Sequence, residues 1–564
     1  MQAPESKPPL DRRQWLALLA SAGLGTVVFQ RAVASAAERG PITATMIEQA
    51  EWIAGLELSP EQRDSLVARI ERAQGHIEVL REIELDYDVP PALLFDPEPG
   101  HPPDCEPFDR KVQTISQAPV ELPLEEDELA FLPVSQLAGL LREKKVSSVE
   151  LTKLYLRRLQ KFDPVLYCVV SLTEELALRQ AAAADKEIAA GRYRGPLHGI
   201  PWGAKDLISY PGYKTTWGAA PFQEQRLQTK ATVAQRLDDA GAVLAAKLSM
   251  GALAWGDRWF GGMTRNPWFP DQGSNGSSAG SASATVAGLV GFSLGSETLG
   301  SIVSPSKRCG ASGLRPTFGR VSRYGCMSLS WSMDKLGPIC RSIEDCALVF
   351  AAIAGRDGRD GTVVDRPFAW PPERKVSTLT VGYQPSDTAP EDRPELQVLR
   401  DLGVKLKPIE LPGPYPAWAS SLILNVEAAT VFDPLTRQKS EDIGLWPNVL
   451  RQGQMVPAVE YLRANRVRTL LMQQMKELMK GVDAYIDLDG DDLAITNLTG
   501  HPSAVLPNGF IGQGDAVLPQ SIVFTGQLYG ESDLLALAHA YQKATGFHLR
   551  HPSLKTAQET PPAP

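Results

Sequence analysis

Gly273 to Gly313 reads GSNGSSAGSASATVAGLVGFSLGSETLGSIVSPSKRCGASG. A flexible Gly/Ser linker has this composition, but a linker carries no buried-type apolar blocks. Here Val286 to Val290, then Ile302 and Val303, interrupt the run, which closes on Cys309-Gly310. Small residues let backbone approach a bound molecule closely, so the stretch reads as a structured site. Two G-x-S-x-G matches lie inside it, around Ser278 and Ser293. A nucleophile elbow joins a strand to a helix and needs a placed histidine. Ser278 follows a turn-like run and Ser293 precedes Gly-rich chain, so neither fits well. The downstream histidines are His501, His539, His548 and His551, of which His539 is in a helix-like stretch and the last two are near the tail. Ser304-Pro305-Ser306-Lys307 fits S-x-x-K without the S-D-N or K-T-G that accompany it.

Upstream, Gly199-Ile200-Pro201-Trp202-Gly203-Ala204-Lys205-Asp206 ends a mostly apolar, strand-like run on a lysine. Burial disfavours an ammonium, so a lysine there tends to the neutral amine, which is a base at neutral pH. Taken alone, such a lysine is more often solvated or salt-bridged.

Around these segments the chain alternates. Short β-like runs (Val165–Val170, Ala242–Ala246, Thr378–Gly382, Ala484–Ile486, Ser503–Leu506) are interleaved with helical ones (Glu174–Ala190, Ala231–Ala240, Ile343–Ala354). That alternation predicts an α/β domain with a largely parallel sheet. Ser147-Ser148-Val149-Glu150 is a capping box that opens a helix to about Lys161. Nearer the N-terminus, Ser59-Pro60-Glu61-Gln62 opens another, with Leu66, Ile70, Ile77 and Leu80 as its stripe. Residues 41–86 therefore read as a small helical appendage. The Pro-rich segment 87–132 reads as an extended strap, because proline lacks the N–H that helix and sheet interiors require. The main domain is expected over 133–552, and 553–564 as a disordered tail.

Residues 1–36 read as an export signal. Arg12-Arg13 precede an uncharged run from Trp15 to Phe29, which leads to Ala34-Ser35-Ala36, an A-x-A-type cleavage site. The paired arginines resemble a twin-arginine signal; a general secretory signal or an uncleaved anchor is the alternative. The expected location is periplasmic or extracellular, in a bacterium. The apolar run is short for a ~30 Å hydrocarbon core, and no other span is expected in the mature form.

The whole chain has 564 residues and a net charge of −9. It is too long for one small module, and it lacks the basic footprint of a nucleic-acid binder. Six cysteines without C-x-x-C, and no H-E-x-x-H, give no zinc signature and no disulfide framework.

Seven segments, in order, resemble the amidase signature family: GPLHGIPWGAKD (195–206), TRNPW (264–268), GSSAGSA (276–282), ETLGSI (297–302), CGASGLRPTFGRVS (309–322), MDKLGPICRSIEDCALV (333–349) and NLTGHPSAVLPNG (497–509). The resemblance implies the amidase signature fold, α/β with a mixed, mostly parallel central sheet covered by helices on both faces. It implies a Ser–Ser–Lys triad: Ser301 as nucleophile, Ser277 as the serine following a cis peptide bond, Lys205 as base. It assigns the oxyanion hole to the backbone of Thr298, Leu299, Gly300 and Ser301. Ser278 would support the Ser/Lys network, or else serve only the start of a helix. No cofactor is implied.

Two positions depart from the family pattern. Leu299 stands where the family has glycine, which matters if that backbone needs φ > 0. Val303 stands where it has arginine, a change that pairs with Glu297 in place of aspartate. Six tryptophans (Trp202, Trp217, Trp255, Trp259, Trp268, Trp331) crowd 202–331; core packing accounts for most, with an aromatic acyl pocket as the alternative. The leading expectation is an exported hydrolase of a small carboxylic amide, of unspecified oligomeric state. Two others stay open. One is the glutaminase-type A subunit of a tRNA-dependent amidotransferase, which the export signal argues against. The other is a non-catalytic envelope binding protein on an amidase scaffold.

Overall fold

The structure is a computed structural model that describes residues 41–84, 92–93, 111–112, 121–386, 388–413, 415–488, 492–512, 517–554 and 556. The export signal, Cys105, most of the Pro-rich strap and most of the tail lie outside the described residues. The chain divides into two compact units, 1–75 and 76–564.

Helices Ala44–Ala50 and Pro60–Arg81 occupy the expected appendage, the last turns of the second belonging to the larger unit. The capping box forms: Gln62 N–H donates to Ser59 Oγ at 3.3 Å, and Ser59 N–H to Gln62 Oε1 at 2.8 Å. Arg63 grips Glu51 through two bonds, of 2.9 and 2.8 Å. Part of the strap is helical, Glu126–Phe131, not extended. Glu126, Asp127 and Glu128 fill its first turn, where carboxylates meet the positive end of the helix dipole.

The larger unit is built on one eleven-stranded sheet. In chain order its strands are β1 (Val169–Leu172), β2 (Pro201–Lys205), β3 (Val243–Leu248), β4 (Phe292–Glu297), β5 (Ser312–Arg315), β6 (Lys335–Cys340), β7 (Thr380–Tyr383), β8 (Lys405–Pro408), β9 (Ala484–Asp487), β10 (Ser503–Ile511) and β11 (Leu518–Gly526). Their spatial order is β8-β7-β9-β11-β10-β5-β6-β4-β2-β3-β1. The α/β class and the mixed sheet agree with the sequence reading. The parallel share is smaller than expected. Parallel pairing is confined to two wings, β2 with β3 and β4, and β7 with β8 and β9. The middle, β9-β11-β10-β5-β6-β4, is antiparallel throughout. Alternating helix and strand patterns identify the parallel wings but do not specify strand direction in between.

β2, β3 and β4 are buried at every position, mostly with apolar and small residues, and each also buries one charged side chain: Lys205, Lys247 and Glu297 respectively. Trp202 of β2 stacks on Phe292 of β4 with ring centroids 6.2 Å apart. Helix Ala279–Val286 follows the Gly/Ser turn and is buried at every position. Its small residues make that burial feasible: a Cβ at Gly280 would lie 2.5 Å from the Cys168 carbonyl oxygen and 2.6 Å from the Ser249 nitrogen. The described cysteines 168, 309, 326, 340 and 346 are all free thiols. Among the described residues, no helix is long and apolar enough to cross a membrane.

Candidate active site

Lys205 is the last residue of β2, and Ser296 lies near the end of the adjacent, parallel β4. The Gly/Ser turn before helix Ala279–Val286 brings Ser277 and Ser278 to the same place. Lys205 is wholly buried. Its Nζ contacts Ser277 Oγ at 2.8 Å, Ser296 Oγ at 2.9 Å, Ser278 Oγ at 3.0 Å and the Ser296 carbonyl at 3.3 Å. Burial pulls its pKa down to about 7, with Asp334 and Glu297 opposing the shift. Near neutral pH a substantial fraction of Lys205 is thus the free amine. In that form it has a lone pair to accept the Ser277 proton.

The Gly276–Ser277 peptide is cis. Ser278 occupies the N-cap position, yet its side chain makes no capping bond. Its hydroxyl instead contacts Lys205, donates to the Ser296 carbonyl at 3.1 Å and accepts the Ser296 N–H at 3.1 Å. Of the two roles considered for Ser278, the network one matches the geometry. Ser296 lies inside the quoted Gly/Ser stretch but was not anticipated there; a lone serine in a strand has no sequence signature.

Ser301 joins this group through backbone: its carbonyl accepts the Ser278 N–H at 3.1 Å. Its residue lines a cleft of about 340 Å³ together with Gly276, Thr298 and Leu299. Among the described residues its hydroxyl makes no side-chain hydrogen bond. The loop around it divides its amides in two. The N–H groups of Ile302 and Val303 donate to Glu297 Oε2 at 2.8 and 2.9 Å. Those of Thr298, Leu299, Gly300 and Ser301 have no protein acceptor among the described residues, which leaves them available to a negatively charged oxygen.

The two departures are accommodated. The left-handed residue of the loop is Gly300, with φ +87°, and Leu299 has no positive φ. A leucine at 299 is therefore unstrained, and its side chain goes to the cleft wall. Glu297 is neutralised from elsewhere: Arg315 Nη1 donates to its Oε1 at 2.7 Å and Asn497 Nδ2 at 2.8 Å. Burial alone would raise the Glu297 pKa, but Arg315 and Lys335 beside it hold it down at about 2. With that charge paired, position 303 is free for valine, which packs on Val505 and Val523.

The other sequence candidates fall away from this site. Ser293 is buried inside β4 and bonded to the Ser281 carbonyl at 2.9 Å. Lys307 donates to the Leu488 carbonyl at 3.1 Å and does not meet Ser304. His501 bonds Thr499 at 2.8 Å, and burial lowers its pKa to about 3. Asp206, next to Lys205, pairs with Lys247 at 2.7 Å and so fixes the loop after β2. Of the six tryptophans only Trp255 lines the cleft; Trp202, Trp217 and Trp268 pack on Phe292, Phe222 and Phe510. Trp446, Ser421, Leu424 and Asn425 complete the wall, all from a region without recognisable motifs. Among the described residues, no cluster of His, Cys, Asp or Glu is arranged to hold a metal ion.

Residues 150–487 match the family described as Amidase. The chain belongs to the amidase family. Curated relatives of this amidase include the glutamyl-tRNA(Gln) amidotransferase subunits A of Roseiflexus sp. strain RS-1 and of Moorella thermoacetica. The first is 34% identical, over 75% of this chain and 98% of that protein; the second is 32% identical, over 76% and 100%. Among solved structures, the native peptide amidase from Stenotrophomonas maltophilia is 29% identical. It covers 75% of this chain and 99% of its own, with a TM-score of 0.66. The chemistry common to the family is hydrolysis of an amide C–N bond, and this member carries the amidase signature fold.

Proposed function

We propose that this protein hydrolyses a carboxylic amide to acid and amine or ammonia through a seryl acyl-enzyme. Ser301 attacks the amide carbon. Its proton passes to Ser277 as the Ser277 proton passes to neutral Lys205, since a hydroxyl both donates and accepts. The oxyanion takes the unengaged amides of Thr298 to Ser301, donors worth roughly 3–4 kcal/mol each. Collapse breaks the C–N bond, and Ser277 returns a proton to the leaving nitrogen, drawing on Lys205. Water then attacks the ester, with the same relay as base, and Ser301 recovers its proton. The 2.8 Å contact from a wholly buried Lys205 to Ser277 carries this reading. The leg from Ser277 to Ser301 closes when substrate is bound, as catalytic hydrogen bonds commonly do. Arg12-Arg13, the apolar run after them and Ala34-Ser35-Ala36 support work outside the cytoplasm.

One experiment tests chemistry and location together. Cells producing the full chain are fractionated and treated with a serine-directed phosphonate. The expected result is a single adduct on Ser301, in protein from the extracytoplasmic fraction. An unlabelled, inactive protein would instead favour a binding function. The names of the curated relatives support a second reading, an amidotransferase A subunit. Labelled protein found in the cytosol, in complex with a B-type subunit, would establish that one.

A further inference from the structure

The charges around Ser301 are arranged unevenly. The 340 Å³ cleft is walled by Trp255, Trp446, Leu299, Leu329 and Leu424, and its polar lining is hydroxyl and amide; among the described residues no charged side chain borders it. Four ionisable groups near it, Lys205, Glu297, Asp334 and Glu427, are each engaged elsewhere. Lys205 is held by its serines, and Glu297 by Arg315 and Asn497. Asp334 accepts the amides of Leu329 and Ser330 at 2.8 and 3.0 Å. Glu427 accepts both hydroxyls of Ser330 and Ser332, and that of Tyr461. Charged lining is found in an adjoining cavity of about 760 Å³, which shares Asn275 and Ser304 with the cleft and carries Lys307, Arg308, Asp487 and Asp492 on its far side.

The aromatic wall is built rather than incidental. Trp446 is buried and its Nε1–H is fixed on the Ala252 carbonyl at 3.0 Å. Trp255 meets it edge to face with centroids 4.9 Å apart. Such a pair offers a rigid apolar surface at little entropic cost. An ammonium or carboxylate placed there would lose water and gain no counter-ion.

We propose that the cleft selects amides whose acyl group is uncharged and mainly apolar, aromatic or branched, and turns away free glutamine and other charged acyl groups. This selectivity rests on Ser301 being the nucleophile. At about 340 Å³ the cleft is near the small end of ordinary ligand sites, so the acyl group is of single-ring size.

The test has two arms. In the first, kcat/KM of the intact enzyme is measured for 3-phenylpropionamide, 4-methylpentanamide, succinamate and glutamine. The neutral pair should exceed the charged pair by roughly 100-fold or more. Trp446→Ala should raise KM for 3-phenylpropionamide about tenfold more than for propionamide. Trp255→Ala, at a half-exposed position, should do the same in milder form and covers the case in which Trp446→Ala does not fold. In the second arm, binding of 3-phenylpropionamide and of glutamine to Ser301→Ala is followed by tryptophan fluorescence. Saturable binding of the neutral amide alone supports the proposal. Preference for glutamine or succinamate in either arm overturns it, whatever the fate of the hydrolytic reading. Selective binding without any turnover by the intact enzyme would sink the hydrolytic reading and leave the cleft's selectivity standing. Binding of neither amide by folded Ser301→Ala, with no turnover by the intact enzyme, overturns both.

Discussion

Ser301→Ala should remove turnover almost entirely, on the order of 10⁵- to 10⁶-fold, the loss typical when a serine nucleophile is deleted. The size follows from there being no substitute. Ser277 and Ser278 both contact Lys205 and both are wholly buried, and Thr298 gives its hydroxyl to Asp334. Ser301 lines the cleft and borders the unengaged amides. The variant loses one hydroxyl without a side-chain bond, so its melting temperature should be close to that of the parent. Initial rates of ammonia release, read beside a thermal melt, check this. Full activity in a well-folded Ser301→Ala would refute the nucleophile assignment.

Lys205→Ala is expected to lower kcat/KM by about 10² to 10⁴, the usual worth of a positioned base. The pH profile distinguishes that role from simple packing. The base acts as free amine, so in the parent protein kcat/KM should climb tenfold per unit below pH about 7 and level off above it. In Lys205→Ala that limb should disappear. Lys205→Met, nearly isosteric, keeps the space filled and should show the same flat profile. A rising limb that persists in both variants would assign the titration to another group. Some loss of stability accompanies the alanine variant, because Ser277, Ser278 and Ser296 each lose a buried partner.

Much of this was legible in the residues because local chemistry wrote it there. The capping boxes at Ser59 and Ser147 both form; helices Glu174–Ala189, Thr232–Asp239 and Ile343–Ile353 end close to their expected bounds, while the one opened at Ser147 runs on past Lys161 to Leu166. Lys205, Ser277 and Ser278 meet because β2 and the turn before Ala279 are short and strongly specified. Three things were not legible. Strand direction in the middle of the sheet depends on the path between strands, which alternation does not record. Ser296 gains its meaning only from the neighbour strand that presents Lys205. The cleft wall comes from Trp446 and from helix Leu422–Val431, whose residues follow ordinary helical packing and carry no motif. Leu299 and Val303 illustrate the reverse: each looked anomalous in sequence, and each is explained by a partner or a dihedral angle.

The anchoring of the Ser301 loop on Glu297 bears on how this amidase meets acid. A carboxylate whose pKa falls from the ordinary 4.5 to about 2 favours the folded form above pH 4.5 and gives that up only as pH nears 2. Lys205 protonates near 7, far earlier. Between those two points the molecule should lie dormant with its architecture intact, so activity lost at pH 4 should return in full on neutralisation. Shelter from permanent acid damage is thus built into the same loop that carries Ser301.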